Sequence, residues 1–96
     1  PATSKGRNLK LRLFLFMYTV YVLYSKGHDR LYIGYTSNLE QRLLSHNELG
    51  KKGYTKKYRP WDLIHTETFS TKSEALAREK QLKSGQGRLW IRDKFF

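Results

Sequence analysis

The chain contains no cysteine, which excludes disulfides, thiolate metal sites and a cysteine nucleophile and fits a reducing compartment. Acidic residues are scarce: eight Asp and Glu stand against nineteen Lys and Arg, a formal net charge of +11. No apolar run approaches the ~18 residues that a membrane helix needs. The stretch formed by Leu11 and Leu13–Phe16 is interrupted by Arg12 and is followed by no small-residue cleavage site, so it also reads poorly as a signal peptide. No repeat, low-complexity tract or linker divides the 96 residues, which leaves room for one domain with one modest core.

What is present points to a folded, basic domain. A hydrophobic fraction of 39%, with Trp61, Trp90, seven Tyr and five Phe, is too rich for a disordered chain. Four of the positive charges (Lys5, Arg7, Lys10, Arg12) fall in an acid-free leader, and residues 17–96 still hold fifteen cations against eight acids, a net +7. Such a potential suits phosphate backbones, although ribosomal, membrane-surface and solubilising roles share the signature. Met17, the single Met, immediately precedes the first strand-like segment. Residues 1–16 are therefore expected to be a leader or vector-derived extension outside the fold, with the domain at 17–96.

From Tyr18 to Ser25 the sequence is dense in β-branched and aromatic residues, Lys26–Arg30 supplies turn chemistry, and Leu31–Thr36 resumes the strand signal, which together predict a hairpin. Ser37 or Asn38 can cap a helix to about Asn47 that ends at Gly50. Residues 49–60 read as a basic loop interleaved with aromatics, and Trp61–Phe69 as a third strand. A second helix, capped by Thr71 or Ser73, should run to about Ser84 and stop at Gly85 and Gly87, with a short basic helix from Arg88 to Phe96. The order ββαβα plus a final helix predicts an α+β fold with a three-stranded antiparallel sheet flanked by helices.

Helical periodicity of ~100° per residue places Glu79 inside the stripe of Ala75 and Leu82, with Glu74, Arg78 and Gln81 facing away. A carboxylate there is costly unless compensated, so it is either a structural ion pair with an Arg or a metal ligand at the edge of a cleft. On the first helix Arg42 and His46 lie one turn apart at the margin of the apolar stripe. They could serve a phosphoryl group, although an Arg in that position also snorkels and a His also packs. In the hairpin, alternation puts Tyr21 with Thr19 and Leu23, and Tyr32 with Gly34, where the missing side chain lets something approach the sheet. Tyr as core filler suits Tyr18, Tyr24 and Tyr35; for Tyr21 and Tyr32 both readings stay open.

Taken in order, these residues resemble the GIY-YIG nuclease superfamily, and particularly its small stand-alone bacterial members related to the catalytic domain of UvrC. Tyr32-Ile33-Gly34 is the second half of the signature, Thr19-Val20-Tyr21 stands where Gly-Ile-Tyr would be, Asn38–Asn47 resembles the first helix with its Arg and His, and Ser73–Lys83 the metal-binding helix with Glu79 at the ligand position. The resemblance covers Met17 to about Arg92. It implies a DNA endonuclease, with RNA as the alternative polymer, acting by metal-assisted in-line attack of water. Tyr21, helped by Tyr32 or His46, would orient or deprotonate the nucleophile, its basic surroundings lowering a phenol pKa otherwise near 10. Arg42 would stabilise the phosphorane, and Glu79 would hold one Mg²⁺ or Mn²⁺ ion. Lys51, Lys52, Lys56, Lys57, Arg59 and Arg88 are the expected phosphate contacts, with backbone or shape recognition, no membrane and a cytoplasmic setting. The chain departs from the family in two places: no Asn follows the Glu79 helix within residues 84–96, and Tyr35 and Thr36 stand where several members have a Lys. The competing readings are a weak or inactive nucleic-acid-binding module of the same fold and an unrelated ribosome-associated basic protein.

Overall fold

A computed structural model describes residues 17–50 and 53–96, apart from the side chain of Leu49. The expectation for residues 1–16 and those for Lys51 and Lys52 lie outside the described residues. The elements are β1 (Tyr18–Ser25), β2 (Arg30–Thr36), α1 (Leu39–Leu44) continued by a π turn (Ser45–Leu49), α2 (Gly53–Lys57), β3 (Asp62–Phe69), α3 (Lys72–Lys83) and α4 (Gly85–Phe95). The strands form one antiparallel sheet in the order β2-β1-β3. The α+β class and the three-stranded sheet expected from the sequence are both present.

β1 is central, and its residues Thr19–Leu23 are buried on both faces. Alternation along it divides the core in two. Val20 and Val22, with Ile33 of β2, face Ala75 and Leu82 of α3 and Ile91 of α4, an aliphatic layer. Tyr21 and Leu23 point the other way and pack with Trp61, Tyr32, Leu39, Leu43 and Tyr58. β3 carries an irregularity opposite Val22 and Leu23, where the pairing jumps from His65 to Leu63. The hairpin turn ends in Asp29 at φ 50°, a left-handed conformation that Asp tolerates better than most residues. Asp29 Oδ1 accepts from Tyr24 and from Arg92 of α4, tying the turn to the C-terminal helix.

Helix ends explain where the expected boundaries shift. Asn38 caps α1 by accepting from the Gln41 N–H, and Thr71 caps α3 by accepting from the Glu74 N–H. The residues expected to be a bare loop contain the five-residue α2. The terminal helix starts at Gly85 instead of Arg88, because Ser84 closes α3 and opens α4 at once. Its hydroxyl donates to the Gln81 carbonyl at 2.6 Å and accepts from the Gly87 N–H at 3.1 Å. Gly87 sits within the new helix because a Cβ there would run into the backbone of Gln81 and Leu82. Gly87 thus permits a tight helix-to-helix corner, while Ser84 ends α3.

Candidate active site

The Tyr21 ring lies flat over Gly34. A Cβ on Gly34 would stand 2.5 Å from the Tyr21 hydroxyl, so only glycine leaves the ring this path. Register sets the arrangement: Tyr21 pairs with Gly34 and Leu23 with Tyr32, which puts both tyrosines on the same face of the sheet. Tyr21 is fully buried, and its hydroxyl meets the Nε2 of His46, itself 5% exposed, at 2.9 Å. Tyr32 packs against both partners, with ring centroids 6.3 Å from Tyr21 and 4.6 Å from His46.

Tyr32 and His46 face a cleft of about 470 Å³ lined also by Arg42, Ser45, Gly50, Tyr54 and Thr55. α1 and its π turn supply Arg42 and His46, and α2 supplies Tyr54 and Thr55. The π turn is closed by the Gly50 N–H donating to the Ser45 carbonyl at 2.6 Å. Asn47 fixes the start of β3 by accepting from the Trp61 N–H at 2.7 Å and donating to the Trp61 carbonyl at 3.2 Å.

Burial dominates the electrostatics. It pushes the Tyr21 phenol up to about 12; Arg42 opposes the rise, while Tyr32 and Glu79 add to it. The expected lowering by basic surroundings is therefore overturned, since desolvation of a phenolate outweighs one guanidinium. His46 is pushed below its ordinary value by burial first and then by Arg42 and Arg59. The imidazole is consequently neutral at pH 7, and its Nε2 accepts the Tyr21 proton when the ring hydrogen is on Nδ1.

Of the five residues expected to share the site, Tyr32, Arg42 and His46 line this cleft, and the buried Tyr21 lies behind them in contact with His46 and Tyr32. Glu79 does not line it. It sits on α3 with its side chain only 15% exposed, and its charge reaches Tyr21. Its Oε1 accepts from Lys83, one turn on, at 2.6 Å, not from an Arg. Arg78, expected to face solvent, forks onto the Glu67 carboxylate of β3 at 3.0–3.2 Å and pins the rotation of α3 beside Glu79. Burial raises Glu67, but Arg78 and His65 outweigh it and hold the carboxyl below its ordinary range.

The basic residues separate into three kinds. Lys56 and Lys57 are exposed at the end of α2, next to the cleft-lining Tyr54 and Thr55. Arg59 is committed elsewhere: its Nε donates to the His46 carbonyl at 2.6 Å and its Nη2 to the carbonyls of Ser45 and Gly50. It braces the π turn, whose orphan carbonyls need donors, and this corrects its expected place among the phosphate contacts. Arg88 is exposed on α4 and does not line the cleft. The residues that sequence reasoning left unassigned are Ser45, Asn47, Tyr54 and Thr55; the aromatic interleaving of residues 49–60 was the one signal toward Tyr54.

Among the described residues, no three His, Cys, Asp or Glu side chains form a metal-binding group. Glu79 alone is compatible with Mg²⁺ or Mn²⁺, since such hard ions are commonly held by one or two carboxylates, with water and substrate phosphate completing the shell. No described helix is long and apolar enough to cross a membrane.

Known proteins resemble this chain at the level of family, sequence and structure. The family model of the GIY-YIG catalytic domain matches residues 17–90. A UPF0213 protein of Staphylococcus haemolyticus is 45% identical over 65 residues, covering 68% of this chain and 78% of the relative. One from Natronomonas pharaonis is also 45% identical over 65 residues, covering 68% and 75%. The solution NMR structure of a UPF0213 protein from Bacillus halodurans superposes with a TM-score of 0.50 at 27% identity, covering 82% of this chain and 85% of that one.

Proposed function

This chain belongs to the GIY-YIG catalytic domain family, and from that premise we propose that it is a metal-dependent DNA endonuclease. It would select structure over sequence and work in repair or processing. The observation that carries the reading is the buried hydrogen bond of 2.9 Å between Tyr21 and His46, beside a cleft that Arg42 also faces. Burying two polar groups in an otherwise apolar layer brings little stability, whereas a poised phenol and imidazole serve proton transfer.

In this reading Tyr21 is a relay. As water attacks phosphorus, the Tyr21 oxygen takes the water proton while its own proton passes to His46 Nε2, so the phenol needs no free phenolate despite its high pKa. Arg42 stabilises the charge that builds on the equatorial oxygens. Tyr32 packs on the imidazole and keeps it aimed at Tyr21. Glu79 would hold Mg²⁺ or Mn²⁺, which when bound supplies Lewis-acid stabilisation of the phosphate and leaving oxygens. Lys56 and Lys57, with Lys51 and Lys52 before them in the chain, are the proposed backbone contacts, and Arg88 a more remote one. A cytoplasmic site of action goes with this proposal.

A panel of branched, nicked and single-stranded DNA incubated with Mg²⁺, Mn²⁺ or excess chelator tests the proposal. Cleavage that needs the metal supports it, and no cleavage of any member under any condition counts against it. A second reading, a binding module of the same fold, draws on one observation: Glu79 already has a cationic partner in Lys83.

A further inference from the structure

The cleft has an outer wall that the proposed chemistry does not use. α2 contains no buried residue, yet it presents Tyr54, whose 47% exposure is not that of a core filler. The ring is nevertheless held in place. Its hydroxyl donates to the Leu31 carbonyl at 3.2 Å, and it stacks on the buried Trp61 indole with centroids 5.9 Å apart and planes 27° apart. Tyr58 meets it edge-on at 4.9 Å, and Tyr58 in turn has the Arg30 guanidinium 5.2 Å and the Lys57 ammonium 5.4 Å from its ring centre. A rigid, half-exposed aromatic ring flanked by cations, on the wall of the cleft that also holds Tyr32, Arg42 and His46, has the composition of a nucleobase platform.

We propose that Tyr54 stacks an unpaired nucleobase adjacent to the phosphate in the cleft, with Arg30 and Lys57 contacting the neighbouring backbone. The substrate class of the site is then single-stranded or locally splayed nucleic acid. In a duplex the base faces are occupied by their neighbours in the stack, and only a base outside the stack can offer its face to Tyr54. This inference rests on the nuclease reading for the location of the phosphate, but its test is binding alone.

The test measures the affinity of the full chain, in chelator, for a labelled oligothymidylate and for a duplex of equal length. Tyr54→Leu should weaken single-strand binding by about tenfold, the effect of losing one stacked base, and leave duplex binding within about twofold. Tyr54→Phe keeps the ring and should retain the single-strand affinity. Equal weakening of both substrates by Tyr54→Leu, an unchanged single-strand affinity, or a loss with Phe as large as with Leu overturns the platform. Duplex binding indifferent to Tyr54 in a protein that does not bind the single strand overturns the platform while leaving the nuclease reading standing. Failure of the unaltered chain to bind either form overturns both.

Discussion

The two faces of the sheet are built from alternate residues of one strand and have different tasks. Val20 and Val22 enter a layer whose buried members, Ile33, Ala75, Leu82 and Ile91, are all aliphatic, with the half-buried Arg78, Glu67 and His65 cluster at its margin. Tyr21 enters a layer of aromatics in which its hydroxyl is paired with His46 and its ring requires Gly34. A protein selected only for stability would have little reason to make the second face differ from the first. The buried Tyr21 and His46 pair makes the second half the one we propose to face substrate.

His46 is where this division between the faces is most open to refutation. His46→Gln keeps a hydrogen-bonding side chain near Tyr21 but cannot relay a proton as imidazole does, and cleavage should fall by roughly 10² to 10⁴. Single-turnover rates check this, with thermal melting expected to change little. A rate within a few-fold of the parent would make the aromatic face as purely structural as the other. The opposite experiment is Leu82→Ala in the aliphatic layer, which should cost about 2–5 kcal/mol by denaturant titration. Its cleavage rate per folded molecule should stay near that of the parent.

Acidity separates the two faces further. Folding depresses the His46 pKa, so the folded state binds this proton less readily than the unfolded chain. Its contribution to stability is full above the unfolded value near 6.5 and is lost as pH falls from there through the lower folded value. Protonation also blocks Nε2 from accepting the Tyr21 proton, so cleavage should show an acid limb displaced below the ordinary imidazole range, and His46→Gln should lack it. The limb is read from pH–rate profiles and the stability from melts across the same range. The smallest effect expected is on binding. Replacing both Lys56 and Lys57 by Ala should lower the slope of log affinity against log salt by about 1 for each phosphate no longer neutralised, in titrations at several ionic strengths.

Most of the fold was legible because each element carries its own local signal. The β-rich segments flanking Lys26–Arg30, the Asn38 and Thr71 caps and the Ala75–Leu82 stripe all coincide with the elements observed. Glu79 stood out in sequence because helical periodicity put a charge in a stripe, and Tyr32 because strand alternation put it on one face with Gly34; the pairing of Tyr21 with Gly34 needed the sheet register. What stayed hidden depends on partners distant in sequence. Arg59 reads as one more cation in a basic loop until the chain folds and three carbonyls surround its guanidinium. The high Tyr21 pKa reflects burial under α1, which no local count of charges reveals. The helix start at Gly85 depends on Ser84 capping two helices at once. Tyr54 became a candidate only when α2 placed it on the wall of the same cleft as His46.

The proposed mechanism stands or falls on Glu79 serving chemistry as well as pairing with Lys83 on the helix surface. Glu79→Gln and the parent can be compared for Mg²⁺- or Mn²⁺-dependent cleavage, DNA affinity and melting temperature in one set of preparations. Cleavage should be abolished while affinity stays equal or rises slightly, because a negative charge has left the neighbourhood of the phosphate, and melting should be nearly unchanged. A Glu79→Gln protein that melts much lower and loses binding and cleavage together would refute the catalytic role.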